Sequence, residues 1–213
     1  MSLVGDVHDG LILGRRLGRL RDLIASILPA RAHVLDVGSG DGCLAAELQR
    51  VRKDCSFEGI DVLVREDTAI PVREFDGRSI PLPDRSVDAV LLVDVLHHAE
   101  DPGSLLREAA RATRGCVIIK DHVREGIGAA PTLRLMDWVG NAHHGVRLPY
   151  NYWSPDQWRA ALAAAGLAPR SWRRDLRLYP RPITWLCDRA LHVLTLLEPV
   201  AAIHQSAPAR IAC

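Results

Sequence analysis

The stretch His33-Val34-Leu35-Asp36-Val37-Gly38-Ser39-Gly40-Asp41-Gly42-Cys43-Leu44-Ala45 decides the fold. Val34, Leu35 and Val37 read as a short buried strand, and the apolar, Ala-rich run after Gly42 reads as a helix. Glycines at 38, 40 and 42 fill the junction. Lacking a Cβ, they can take positive φ and let a ligand lie against the backbone, while the helix behind them offers free N–H groups and the positive end of its dipole. Strand, glycine turn and helix together predict a nucleotide or nucleoside site. A dinucleotide turn is spaced G-x-G-x-x-G. Here the spacing is G-x-G-x-G with Asp36 two residues ahead, which suits a ligand bearing an ammonium group better than a pyrophosphate.

At 213 residues the chain is long enough for one α/β domain and short for two. A formal net charge of +1 gives no electrostatic pull toward nucleic acid, so none is expected as a partner. The basic residues are nearly all arginine, with Lys53 and Lys120 the only lysines. Cys43, Cys55, Cys116, Cys187 and Cys213 are odd in number and contain no C-x-x-C pair, which fits neither a zinc knuckle nor a disulfide framework and points to a reducing cytosol. No basic stretch leading into an apolar one opens the sequence, so no signal peptide is expected. The longest apolar stretch, Ile183 to Val200, is broken by Asp188, Arg189, His192 and Glu198, which argues against a membrane span.

Outward from the glycine turn, Leu13, Leu17, Leu20, Ile24, Ile27 and Leu28 form a helical stripe, so residues 1–30 are expected to be a helical cap. Gly10, Gly14 and Gly18 within it suggest close packing or a helix that starts only after Gly18. Downstream, Ser56 to Val62 reads as a second strand ending at Asp61, whose carboxylate can accept both hydroxyls of a ribose. A third strand, Val72 to Phe75, precedes Asp76-Gly77. The ten residues between Asp61 and Val72 are too few for the usual crossover helix, which with its turns needs roughly ten to twelve, so a loop is expected. Ala89 to Val95 is apolar except for Asp94 and suits a parallel strand covered on both faces. Asp101-Pro102 opens a helix to about Thr113, and Gly115 to Lys120 is the fifth strand. Ser154-Pro155-Asp156-Gln157 is a capping box, and the helix it starts stops at Gly166. Trp172 to Tyr179 and Leu191 to Glu198 are expected to pair as an antiparallel hairpin, although the leucines of the second would also serve a helix.

The string from Val34 to Lys120 resembles the type-11 and ubiquinone/menaquinone-biosynthesis group of class I S-adenosylmethionine (SAM) methyltransferases. The matching pieces are Leu35 to Gly42, Gly59-Ile60-Asp61, Asp76-Gly77, Ile80 to Val90, and Leu96-His97-His98 with Asp101, in that order and spacing. The resemblance implies an α/β, doubly wound, Rossmann-like sheet of seven strands, five or more parallel, with a C-terminal antiparallel hairpin. It implies a SAM-binding methyltransferase domain, expected over residues 31–199; between Asp121 and Tyr152 the family pattern gives way, so 122–153 is read as a substrate-covering insertion and 200–213 as a tail. It also implies SAM as methyl donor, leaving as S-adenosylhomocysteine. Gly38, Ser39, Gly40 and Gly42 would lie against the methionine end, Asp61 would take the ribose hydroxyls and Asp76 would accept from the adenine amino group, with Val62 and Gly77 also touching the cofactor. The backbone around Asp94 would line the methionine, and Asp36 would order the turn or meet the ammonium through water. The alternatives are a SAM-binding protein without methyl transfer and an NAD-dependent oxidoreductase, the latter weakened by the glycine spacing.

Methyl transfer from a sulfonium chiefly requires the acceptor atom to be held about 3 Å from the methyl carbon and, for a hydroxyl, its proton removed. In open α/β sheets the site lies beyond the carboxyl ends of the strands. Imidazoles titrate near neutrality, so His122, His143 and His144 are candidate bases. His98, Asn141, Arg147, Tyr150 and Tyr152 are candidate contacts to a small-molecule, ring-bearing acceptor. No metal is expected: no H-x-x-x-H spacing is present, and adjacent histidines on an extended chain point to opposite sides. Trp153 is expected to pack as a staple ahead of Ser154 rather than to face substrate.

Overall fold

Apolar strands that end in glycine turns or polar loops, several of them followed by a helix, generate a parallel sheet with helices on both faces. The computed structural model describes residues 3–141, 149–180, 184, 187 and 190–200. The elements are α1 (Leu3–Ala25), β1 (His33–Val37), α2 (Cys43–Val51), β2 (Ser56–Asp61), β3 (Val72–Glu74), β4 (Val87–Val93), a 3-10 turn at Leu96–His98, α3 (Pro102–Ala112), β5 (Thr113–His122), α4 (Ala129–Asn141), α5 (Pro155–Ala164), β6 (Leu167–Arg173) and β7 (His192–Pro199). The seven strands lie in the order β3-β2-β1-β4-β5-β7-β6. The first five are parallel, and β7 runs antiparallel to both β5 and β6. The chain reverses direction across the sheet between β1 and β4, which is where open α/β sheets bind ligands.

Alternation along the strands divides the core. Leu35, Val37, Val90, Leu92, Val117 and Ile119 face Leu105, Leu106 and Ala109 of α3 and Trp158 and Leu162 of α5. Val34, Ala89, Leu91 and Ile118 face Leu20, Leu23 and Ile24 of α1 and Ala45 and Leu48 of α2. Capping follows the local signals: Asp101 accepts from the Ser104 N–H at 2.9 Å, and Ser154 and Gln157 form a reciprocal box ahead of α5. Trp153 packs its ring edge-on to Trp158, centroids 4.9 Å apart.

Three local expectations change. The first strand of the hairpin is Leu167–Arg173, not 172–179. Gly166, at φ +65°, ends α5 so sharply that the ladder begins at once. The apolar alternation that suggested the later strand instead buries Leu176 and Leu178 among the residues of α1, with Arg19 of that helix donating to the Leu176 carbonyl at 3.0 Å. Helix α1 begins at Leu3, so Gly18 marks no helix start. A Cβ at Gly14 or Gly18 would meet nothing within 4 Å among the described residues, so close packing does not account for those glycines either. The second hairpin segment is a strand, β7, as expected. The link from β2 to β3 contains no helix, again as expected, and leaves Val62 and Leu63 exposed, 58% and 65% respectively, directly after Asp61.

Trp158 is buried and donates its Nε1–H to the carbonyl of His122 at 3.0 Å, joining α5 to the end of β5. Trp158→Ala is expected to lower the unfolding free energy by about 3–5 kcal/mol. Equilibrium urea denaturation checks this, and a loss under about 1 kcal/mol would contradict the packing described.

Candidate functional site

The glycine turn is held by strand-like bonds: Gly38 and Ser39 donate their N–H groups to the Ile60 carbonyl at 2.7 and 3.2 Å. Gly38 and Gly42 have φ of +69° and +72°, and a Cβ on either would come within 2.6 Å of Val95 or Ile70 respectively. No side chain can replace either glycine without displacing the turn. Asp61 stands across from the turn, accepting from the Gly40 N–H at 2.8 Å and the Leu63 N–H at 3.0 Å. Beside it, Val62 comes within 3.0 Å of where a Cβ on Gly77 would stand, so that glycine keeps the cleft open. Asp76 accepts from the Arg78 and Ser79 N–H groups through Oδ1, and these bonds hold its carboxyl below the usual range. The Ser39 hydroxyl is turned inward onto Gly59, so its backbone is what it offers a ligand. Asp36 is buried behind the turn; burial, with the nearby Asp61 charge, pushes its carboxyl up to about 7.

At the end of β4 the chain takes φ +57° at Asp94, a left-handed turn that Asp tolerates better than most residues. This aims its carboxylate at Lys120 of β5 and Arg16 of α1, both of which pair with it. The Lys120 side chain is fully buried. Burial would raise the Asp94 carboxyl, but the two cations outweigh it and hold it well below the usual carboxylate range. His122 Nε2 lies 3.6 Å from the same carboxylate, and burial together with Lys120 keeps that imidazole neutral, far below its ordinary value.

A second polar group lies beside the first. His97, in the 3-10 turn, has Nδ1 2.6 Å from Asp121 Oδ1 and Nε2 3.3 Å from Asp137 Oδ1 of α4. Burial opposes a charged imidazole, but the flanking carboxylates prevail and push His97 up to about 10. Asp121 also accepts from the Leu96 and His122 N–H groups, fixing its orientation. Tyr152 donates its hydroxyl to Asp137. Asn151 bonds to the carbonyls of His97 and Ala99, through its N–H at 3.2 Å and its Nδ2 at 2.8 Å. Segment 149–153 is thereby tied over the strand ends.

The structure thus brings together Asp36, the glycine turn, Asp61, Val62, Asp76 and Gly77 on one side of the switch point, and Asp94, His97, His98, His122 and Tyr152 on the other. Tyr152 is buried in a small cluster with Ala129, Leu133 and Leu191, and Tyr150 packs at its edge beneath Arg134, whose guanidinium carbon is 5.4 Å from the ring centroid. Of these two candidate acceptor contacts, Tyr152 is enclosed by protein and Tyr150 is partly so. His143, His144 and Arg147 lie outside the described residues, as does the side chain of Asn141. Sequence reading missed the roles of Arg16, Lys120, Asp121 and Asp137. Two signals were present: Asp94 as the polar interruption of an apolar strand, and Lys120 as one of two lysines in an arginine-rich chain.

The fold is that of an α/β protein of the class I, SAM-dependent methyltransferase type. Residues 12–171 match the family model for a methyltransferase domain, and the chain belongs to that family. It is 30% identical over 183 residues to the 27-O-demethylrifamycin SV methyltransferase of Amycolatopsis mediterranei, an alignment covering 77% of this chain and 64% of that protein. The chain therefore spans less than two thirds of that relative. Among solved structures, a Haloferax volcanii protein complexed with the Trm112 methyltransferase activator superposes with a TM-score of 0.65 at 18% identity, covering 90% of this chain and 95% of that one. A SAM-dependent methyltransferase from Mesorhizobium loti gives 0.61 at 20% identity, covering 81% and 94%. These two likenesses establish the fold. Among the described residues no helix is long and apolar enough to cross a membrane.

Removing the carboxylate from the Asp94 cluster strands a buried ammonium, whereas removing the ammonium leaves Arg16 still paired. Asp94→Ala is expected to cost about 3–5 kcal/mol, and Lys120→Met distinctly less. Parallel denaturation curves check the order, and Lys120→Met proving the more damaging would contradict it.

Proposed function

We propose that this chain transfers a methyl group from SAM to a small-molecule acceptor. The observation that carries the reading is the glycine turn itself, with positive-φ glycines packed too tightly against Val95 and Ile70 to bear side chains, facing the Asp61 carboxylate. The residues fit the group. Asp61 retains acceptor capacity for ribose hydroxyls, exposed Val62 offers an apolar bed for the adenine, and Asp76 can accept from its amino group. The turn offers backbone to the methionine portion, with Asp36 behind it as the counter-charge for an ammonium. When bound, SAM supplies an electrophilic methyl carbon on a sulfonium.

The acceptor is assigned to the space beyond β4 and β5, bordered by Val95, the 3-10 turn and segment 149–153. Its proton is assigned to His143 or His144. His122, neutral but enclosed by Asp94, His97 and His192, is the weaker choice. A small acceptor is favoured by the near-neutral charge and by the rifamycin relative, which is named for a small-molecule substrate. The acid preceding the turn and the absent third-glycine spacing disfavour NAD. A cytoplasmic location belongs to the same proposal.

Titration calorimetry with S-adenosylhomocysteine and with NAD tests this. Micromolar binding of the first and none of the second is expected, and the reverse would overturn the reading. Asp61→Ala should weaken S-adenosylhomocysteine by about 10- to 100-fold, the worth of hydrogen bonds to a charged acceptor. An ammonium favours ionised Asp36, so its pKa falls on binding. Affinity should therefore rise as pH increases through 7, and Asp36→Asn should flatten that profile.

A further inference from the structure

The histidine pair next to Asp137 forms a cluster to which the methyl-transfer reading assigns no proton transfer. Adjacent histidines on an extended chain point apart and cannot chelate together. Leu96–His98 is instead a 3-10 turn, where successive side chains stand only about 120° apart. The His97 and His98 rings accordingly come together, centroids 4.0 Å apart. Nδ1 of His97 is committed to Asp121 at 2.6 Å, which aims Nε2 at Asp137. That Nε2 is buried, 3.3 Å from Asp137 Oδ1 but without hydrogen-bond alignment. His98 Nδ1 is also buried with no partner among the described residues. That His98 nitrogen stands beside the His97–Asp137 ion pair, and a divalent cation taking the place of the His97 Nε2 proton would engage both imidazoles and the carboxylate together.

We propose that His97 Nε2, His98 Nδ1 and an Asp137 carboxylate oxygen bind a first-row divalent transition metal, with Zn2+ the best match to two imidazoles and one carboxylate. Donor atoms of these residues all lie within 4.8 Å of one another. Bonds of about 2.1 Å to one ion require separations up to about 4.2 Å, within reach of small ring rotations. Each buried ligand already has its outer support. Asp121 holds the far nitrogen of His97, the carboxylate–histidine arrangement usual behind metal-bound imidazole, and Tyr152 holds the other oxygen of Asp137. Asp94, His97 and His122 are equally close, but Lys120 and Arg16 already occupy that carboxylate and would repel a second cation. Three protein ligands leave at least one position for water or an acceptor oxygen. That last extension rests on the methyl-transfer reading, whereas the metal site does not.

The test uses untagged full-length protein stripped with a chelator, titrated with Co2+ under visible absorption and with Zn2+ in a calorimeter. One equivalent of Co2+ producing d–d absorption, with matching Zn2+ stoichiometry, is expected. His98→Ala, at a half-buried position, and Asp137→Asn should abolish the band, and Asp121→Asn should weaken Zn2+ by about 10- to 100-fold. No band with Co2+ and no heat with Zn2+, or a band unchanged in both His98→Ala and Asp137→Asn, overturns the site. Circular dichroism of each variant establishes folding, and His98→Gln replaces any variant that fails it. S-adenosylhomocysteine binding by the same metal-free protein separates the two readings: kept while metal binding fails, it removes the metal site alone; lost while metal binds, it removes the donor site alone.

Discussion

The Asp94 carboxylate, shared by Lys120 and Arg16, is the interaction on which the rest of the site depends. A parallel sheet covered on both faces has little room for charge except beyond its carboxyl ends, and a fully buried ammonium there must have a counter-ion. Meeting that demand fixes three elements at once: the end of β4, the end of β5, and helix α1 from the far side of the sheet. It also requires the left-handed turn at Asp94, which sends the chain into the 3-10 turn and so delivers Val95 against Gly38 and His97 against Asp121.

From that knot the two halves of the site separate by chemistry. Toward β1 and β2 the groups are acceptors and open backbone: Asp36, Asp61, Asp76 and the turn glycines. Toward α4 they are rings: His97, His98, His122, His192 and Tyr152, packed at centroid separations between 4.0 and 5.9 Å. The first half suits a polar nucleoside with an ammonium. The second is a water-poor border in which a polar group must find its partner within the protein.

The sequence made the first half legible because local features build it. A turn's glycines, the acid at a strand end and the N-caps of helices are set by residues within a few positions of each other. The second half was hidden because its partners are distant in the chain: Asp94 with Lys120, His97 with Asp121 and Asp137, Arg16 with Asp94. Periodicity tells which face a residue occupies, not which residue it meets. The same limit explains the displaced hairpin, since Leu176 and Leu178 alternate as strand residues do, yet bury their side chains under α1 while the ladder uses Leu167–Arg173. Adjacent histidines misled for a related reason, because their divergence assumed extended backbone where a 3-10 turn occurs.

The central claim is that the turn and the carboxylates opposite it hold the methyl donor. A crystal structure with S-adenosylhomocysteine bound tests it most directly. The account predicts ribose hydroxyls on Asp61, adenine between Val62 and Asp76, and the amino acid end along residues 38–42, with the sulfur facing the 3-10 turn. A nucleoside bound elsewhere, or one whose ribose does not reach Asp61, would contradict it.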